Sequence, residues 1–187
     1  MSYTSMPSEH PVETLGSSPI DMKLEVVVIP VSDVDRAKRF YSALGWRLDL
    51  DFKAGDDYRV VQFTPPGSGC SVTFGKKVTS AAPGSAQGLY LIVSDLEAVR
   101  EELIRRGIEI SEPFHDAGGV FRHADAKGQV SGPNPQRQSY ASYASFSDPD
   151  GNSWLLQEVT ARLSGGVKAG DTRFTGQLVN AIRGVEP

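Results

Sequence analysis

A single cysteine, Cys70, in a chain of 187 residues excludes an intrachain disulfide framework and fits a reducing compartment. Positive charge is not in excess. Against 19 Lys and Arg stand 23 Asp and Glu, for a net charge of -4, so nothing attracts nucleic acid or an anionic membrane. No apolar run approaches the roughly 20 residues that cross a bilayer. Residues 1–21 are rich in Ser, Pro and Glu, with no apolar stretch flanked by basic residues, so they read as a flexible leader and not a signal peptide. The expectation is a cytoplasmic protein without nucleic-acid or membrane partners.

What is present is a phrase used twice. Val31-Ser32-Asp33-Val34 opens a helical stretch that stops at Gly45, and Val93-Ser94-Asp95-Leu96 opens another that stops at Gly107, every pair being 62 residues apart. A constant offset of this length marks a duplicated supersecondary module. Ahead of the first copy, Lys23–Pro30 is a nearly continuous β-branched run, the pattern of a central strand buried on both faces. Ser32 is placed as N-cap, and Ala37, Phe40, Tyr41 and Leu44 follow at helical spacing. Strand-like alternation then runs through 46–52, 58–64 and 70–74, with turn residues between. Residues 22–78 therefore read β-α-β-β-β.

Residues 79–160 repeat the order. Gly88–Val93 is the first strand, Leu96, Val99 and Leu103 form the inward stripe of the helix, and Ile108–Ile110 supplies a short strand. Residues 139–146 and 152–159 complete it around Asp148-Pro149-Asp150-Gly151. Thr73 and Leu155, taken as equivalent final-strand positions, are 82 apart. The excess of 20 over the helix offset is an insertion in the second module, about 114–138. Residues 161–187 form a tail in which Phe174, Leu178, Val179 and Ile182 have the spacing of a loose helix.

The segments IPVSDVDRAKRFYSALGW and FSDPDGNSWLLQE, set in two such units, resemble the vicinal oxygen chelate superfamily. That group includes glyoxalase I, bleomycin-resistance proteins and extradiol dioxygenases. The resemblance covers about 22–160 and implies an α+β fold: two βαβββ modules forming an eight-stranded, U-shaped, partly closed sheet with helices outside. Glyoxalase-like members hold a divalent metal with one His or Glu from each of four strands. Position by position, those sites fall on Val26, Thr73, Gly88 and Leu155. Val, Gly and Leu have no side-chain donor and one Thr hydroxyl does not hold an ion, so neither metal nor other cofactor is expected. Glu25 lies one position away and on the opposite strand face.

With Val26 inward, alternation brings Leu24, Val28, Ser71, Thr73, Gly88, Tyr90, Ile92, Leu155 and Gln157 to the concave side, with Tyr143 and Ser145 from the seventh strand. This lining suits a small organic ligand. It also suits a face that packs shut or packs on a dimer partner, and the resemblance implies a homodimer. The substrate-binding candidates are thus Val26, Val28, Ser71, Thr73, Gly88, Tyr90, Tyr143, Leu155 and Gln157. The insertion holds two of the three histidines, His115 and His123, with Asp116, Arg122, Asp125 and Arg137. His115 and His123 are candidate acid–base groups, and Arg137 a candidate clamp for a carboxylate or enolate; a solvated polar loop would have the same composition. The chain is therefore expected to be a metal-independent binding protein, or a lyase or isomerase using the insertion. The rival expectation is a metal-dependent glyoxalase- or dioxygenase-like enzyme with a rearranged ligand set.

Overall fold

In the computed structural model, residues 22–118, 127–162 and 175–183 are described. The chain divides into two compact units, and Leu24–Arg162 is the one that carries the sheets. The spaced apolar residues of the tail do fall on a helix, Gly176–Arg183, in the other unit; Phe174 lies outside the described residues. No helix among the described residues is long and apolar enough to cross a membrane.

The first half contains β1 (Val26–Val28), α1 (Val34–Ala43), β2 (Arg47–Ala54), β3 (Tyr58–Thr64) and β4 (Ser71–Lys76), in a four-stranded sheet ordered β1-β4-β3-β2. The second contains β5 (Leu89–Val93), α2 (Leu96–Arg105), β6 (Phe114–Asp116), β7 (Gln129–Ser131), β8 (Ser142–Ser147) and β9 (Ser153–Glu158), in a five-stranded sheet ordered β5-β9-β8-β6-β7. The fold is α+β, and the duplication extends to register. Val28 lies opposite Thr73 in the parallel pair β1/β4, and Tyr90 lies opposite Leu155 in β5/β9. Val28 and Tyr90 are 62 apart, so Thr73 and Leu155 are equivalent.

Several local expectations are corrected. The run 23–30 is not a central strand buried on both faces: β1 is a sheet edge, and its Val28 is exposed. Ile108–Ile110 forms no strand; Ile110 makes one isolated bridge to Phe146, and the strand that flanks β8 opposite β9 is β6, inside the expected insertion. β7 then adds an edge strand, giving sheets of four and five strands. The N-cap of α1 is Asp33, which accepts a hydrogen bond from the Arg36 N–H as Asp95 does from Ala98 in α2; Ser32 instead donates to Asp150. Both helices stop where Gly45 and Gly107 adopt φ of 79° and 80°, values that glycine tolerates without a Cβ penalty.

The core lies on the helix side of both sheets and is continuous between the halves. Ile29, Val61, Phe63, Val72 and Phe74 join Ala37 and Tyr41 of α1, Leu96 and Leu103 of α2, and Phe146, Trp154 and Leu156 of the second sheet. The side chains of Trp46, Phe63, Phe74 and Trp154 lie in the core. Cys70 is only half-buried, in the turn before β4.

Candidate functional site: two open sheet faces

Because residues of one strand alternate between faces, packing every second residue against the helices turns its neighbours away. In the first sheet one row on the outward face runs Val28, Thr73, Gln62, Leu50. In the second it runs Ile92, Gln157, Tyr143, Phe114, with Tyr90, Leu155 and Ser145 in the adjacent row. Large apolar side chains stand open on both faces: exposure ranges from 42% at Val28 to 51% at Phe52, with Leu50, Tyr90 and Ile92 between. Phe114 and Tyr143 stack with ring centroids 5.7 Å apart and bury Leu155 with them. Contiguous open apolar surface of this kind marks a ligand or partner site.

Polar groups form the floor. On the first sheet a β-bulge between Leu48 and Leu50 inserts Asp49, which accepts from the Arg47 guanidinium at 2.5 Å and from the Thr64 hydroxyl. Thr64 Oγ1 lies 2.8 Å from Ser71 Oγ, and Thr73 Oγ1 donates to Gln62 Oε1 at 3.2 Å. The Arg47 bond, then those from Thr64 and Gln62, hold the Asp49 carboxyl below its ordinary range, against the opposing pull of burial. On the second sheet Gln157 Nε2 donates to Tyr140 O at 2.9 Å and to the Tyr143 hydroxyl at 3.2 Å. Asp49, Thr64 and Gln62 are not among the sequence-derived candidates, and Gln62 belongs to an inner strand, since β3 lies between β4 and β2. Alternation alone does not reveal a bulge, so Asp49 was not identifiable from the pattern.

Sequence-derived candidates separate into those on these faces and those elsewhere. Val26, Val28, Ser71 and Thr73 share the first face; Tyr90, Tyr143, Leu155 and Gln157 share the second, and Gly88 precedes β5 with its N–H on Ser153 Oγ at 2.9 Å. His115 is on the opposite side of β6, across from Ser142 and Val130, with Nδ1 2.8 Å from Gly132 O. Arg137 has φ of 49° and binds Glu158 at 3.0 Å and Glu97 at 3.5 Å. Glu158 is 1% exposed and also accepts from the Leu96 N–H at the start of α2. Arg137 thus closes a buried ion pair on the helix side. His123, Arg122 and Asp125 lie outside the described residues. Asp116 is buried in β6 and accepts from the Gly118 N–H at 2.7 Å.

The four family ligand positions do not fit a metal. Val26, Gly88 and Leu155 carry no donor, and Thr73 is bonded to Gln62. Among the described residues no three His, Cys, Asp or Glu side chains converge as a ligand set.

A cavity of about 480 Å³ lies on the helix side instead, between α2 and Leu44, Trp46, Pro65 and Pro66. The repeat explains it. Where α1 places Phe40 and Tyr41, the equivalent positions of α2 hold Glu102 and Leu103, and where the second module has Trp154 the first has Val72. Less aromatic volume at one of two equivalent contacts leaves it hollow.

A sequence model described as the Glyoxalase/Bleomycin resistance protein/Dioxygenase superfamily matches residues 23–156. The chain belongs to this superfamily. Solved structures agree. TnmS3, an antibiotic binding protein from Streptomyces sp. CB03234, is 28% identical with a TM-score of 0.54, over 76% of this chain and 99% of that one. A glyoxalase/bleomycin resistance protein from the same organism is 29% identical with a TM-score of 0.52, over 73% and 100%. A superfamily member from Sphaerobacter thermophilus DSM 20745 is 27% identical with a TM-score of 0.54, over 74% and 98%. No curated protein matches the chain.

Proposed function

We propose that this superfamily member binds a small organic molecule on the open sheet faces without a divalent metal, and that a second copy of the chain supplies the facing sheet. The observation that carries the reading is the pairing of open apolar side chains with a buried polar floor on the face opposite the core. Binding sites have this composition: apolar walls desolvate the ligand and a few polar groups orient it. Each sheet covers one side of a ligand only, so enclosure needs a second surface. Homodimerisation brings one without further chain. Of the described catalytic candidates, the acid–base group His115 and the clamp Arg137 are committed on the other side of the second sheet, which favours binding over lyase or isomerase chemistry. The antibiotic-binding relative supports a ligand of antibiotic size.

The test is native mass spectrometry with metal analysis on the purified full chain. A dimer that retains an organic molecule and lacks stoichiometric metal is expected. One Ni, Zn, Fe or Mn per chain would establish instead the metal-dependent reading with a rebuilt ligand set.

A further inference from the structure

We infer that the floor of the first sheet is a hydrogen-bond acceptor surface, so that the ligand is an apolar ring system presenting a neutral donor, a phenol or aromatic N–H, and not a carboxylate. This rests on the binding reading above and deepens it.

The inference follows from counting hydrogens. Asp49 is held ionised by Arg47, Thr64 and Gln62, and an ionised carboxylate only accepts. Thr64 has one hydroxyl hydrogen and gives it to Asp49 Oδ2. The 2.8 Å contact between Thr64 and Ser71 must then use the hydrogen of Ser71, which leaves Ser71 with lone pairs and no hydrogen. A second branch ends the same way. Gln62 Oε1 accepts from Thr73, which spends its hydrogen there at 3.2 Å. Gln157 on the second sheet has both amide hydrogens committed, to Tyr140 O and Tyr143 Oη, so what it offers is Oε1. Ser71, Thr73 and Gln157 therefore all present acceptors. A ligand acceptor buried against them would remain unpaired, and an anion would also meet Asp49. Arg47, the cation beside this relay, engages Asp49 through Nε, and its side chain is 75% exposed to solvent, which screens its charge. Flanking Val28, Leu50 and Phe52 are apolar and favour a neutral donor over an ammonium, which loses more on desolvation.

Three probes with one ring system test this on the full chain by titration calorimetry: 2-naphthol, which donates; 2-methoxynaphthalene, which does not; and 2-naphthoate. The expected order is 2-naphthol tighter than 2-methoxynaphthalene by about tenfold, the usual consequence of leaving a buried acceptor unpaired, with 2-naphthoate weakest. Ser71→Ala should reduce that preference. Thr64→Val should return a hydrogen to Ser71 and improve 2-methoxynaphthalene and 2-naphthoate; if it does not fold, Ser71→Ala with Thr73→Val decides. Binding in which 2-naphthoate or 2-methoxynaphthalene equals 2-naphthol overturns the acceptor assignment and leaves the binding reading standing. No binding of any probe overturns both.

Discussion

The hydroxyl of Tyr41, in the last turn of α1, donates to Asp148 of the β8–β9 turn at 2.9 Å, joining the two halves of the duplication inside the core. Trp154 Nε1 reaches the same hydroxyl at 3.3 Å, and Asn152 Nδ2 contacts Asp148 at 2.7 Å and Pro30 O at 2.9 Å. Burial, then the charge of Asp148, pushes the Tyr41 phenol far above its ordinary range, so it remains a donor throughout the accessible pH range. The polar turn motif and the aromatic helix are one unit, and the fold uses it once: the other helix–turn contact has Leu103 and the Pro65-Pro66 pair.

Tyr41→Phe removes that donor while conserving the ring. Asp148 stays buried with one partner fewer, so a loss of about 1–3 kcal/mol is expected, measured as a lower midpoint in urea at unchanged slope.

The hollow contact predicts the opposite sign. Ala98 lines the cavity beside α2 and is exposed to it. Ala98→Leu keeps a good helix former and buries added methylenes, so a gain of about 1 kcal/mol is expected. No gain in denaturant titration would mean that the cavity walls do not contact the new side chain.

Arg137→Ala separates a structural ion pair from a catalytic residue. It leaves Glu158 buried without its cation, at an expected cost of about 2 kcal/mol, discounted from the usual buried-pair loss because Arg137 is half exposed. Adding Glu158→Gln should recover much of this. Ligand affinity should change little, since the pair lies on the helix side.

Acid should destabilise the fold through its carboxylates. Hydrogen bonds from Arg59 and then Lys38 hold Asp51 far below its ordinary range, and Arg59 also lowers Asp35. A lowered folded pKa contributes stability that is complete above the unfolded value, about 3.9 for Asp, and is lost as pH falls through the folded value. Thermal stability should therefore be flat from neutral pH to about 5 and decline below about 4. Arg59→Gln should lower the plateau and shrink the decline.

Much of the architecture was legible because it rests on local chemistry. The Asp33 and Asp95 caps, the glycine stops and the apolar stripes of α1 and α2 repeat at a fixed offset, and each acts within one turn of its own helix. The missing metal donors at Val26, Gly88 and Leu155 were also legible, since a residue type either has a ligand atom or does not. Strand order and neighbours were less so. Val26-Val27-Val28 has the composition of a central strand, yet it is an edge, because which strands pair is set by contacts far apart in sequence.

The sequence by itself determined the duplicated module and the superfamily. Only the tertiary structure decided which groups share a face. The bulge that carries Asp49 to Thr64 and Ser71, the turn of His115 away from Tyr143, and the burial of Glu158 against Arg137 each depend on register. A one-residue change of register reverses every side chain of a strand, and periodicity does not specify where a bulge makes that change.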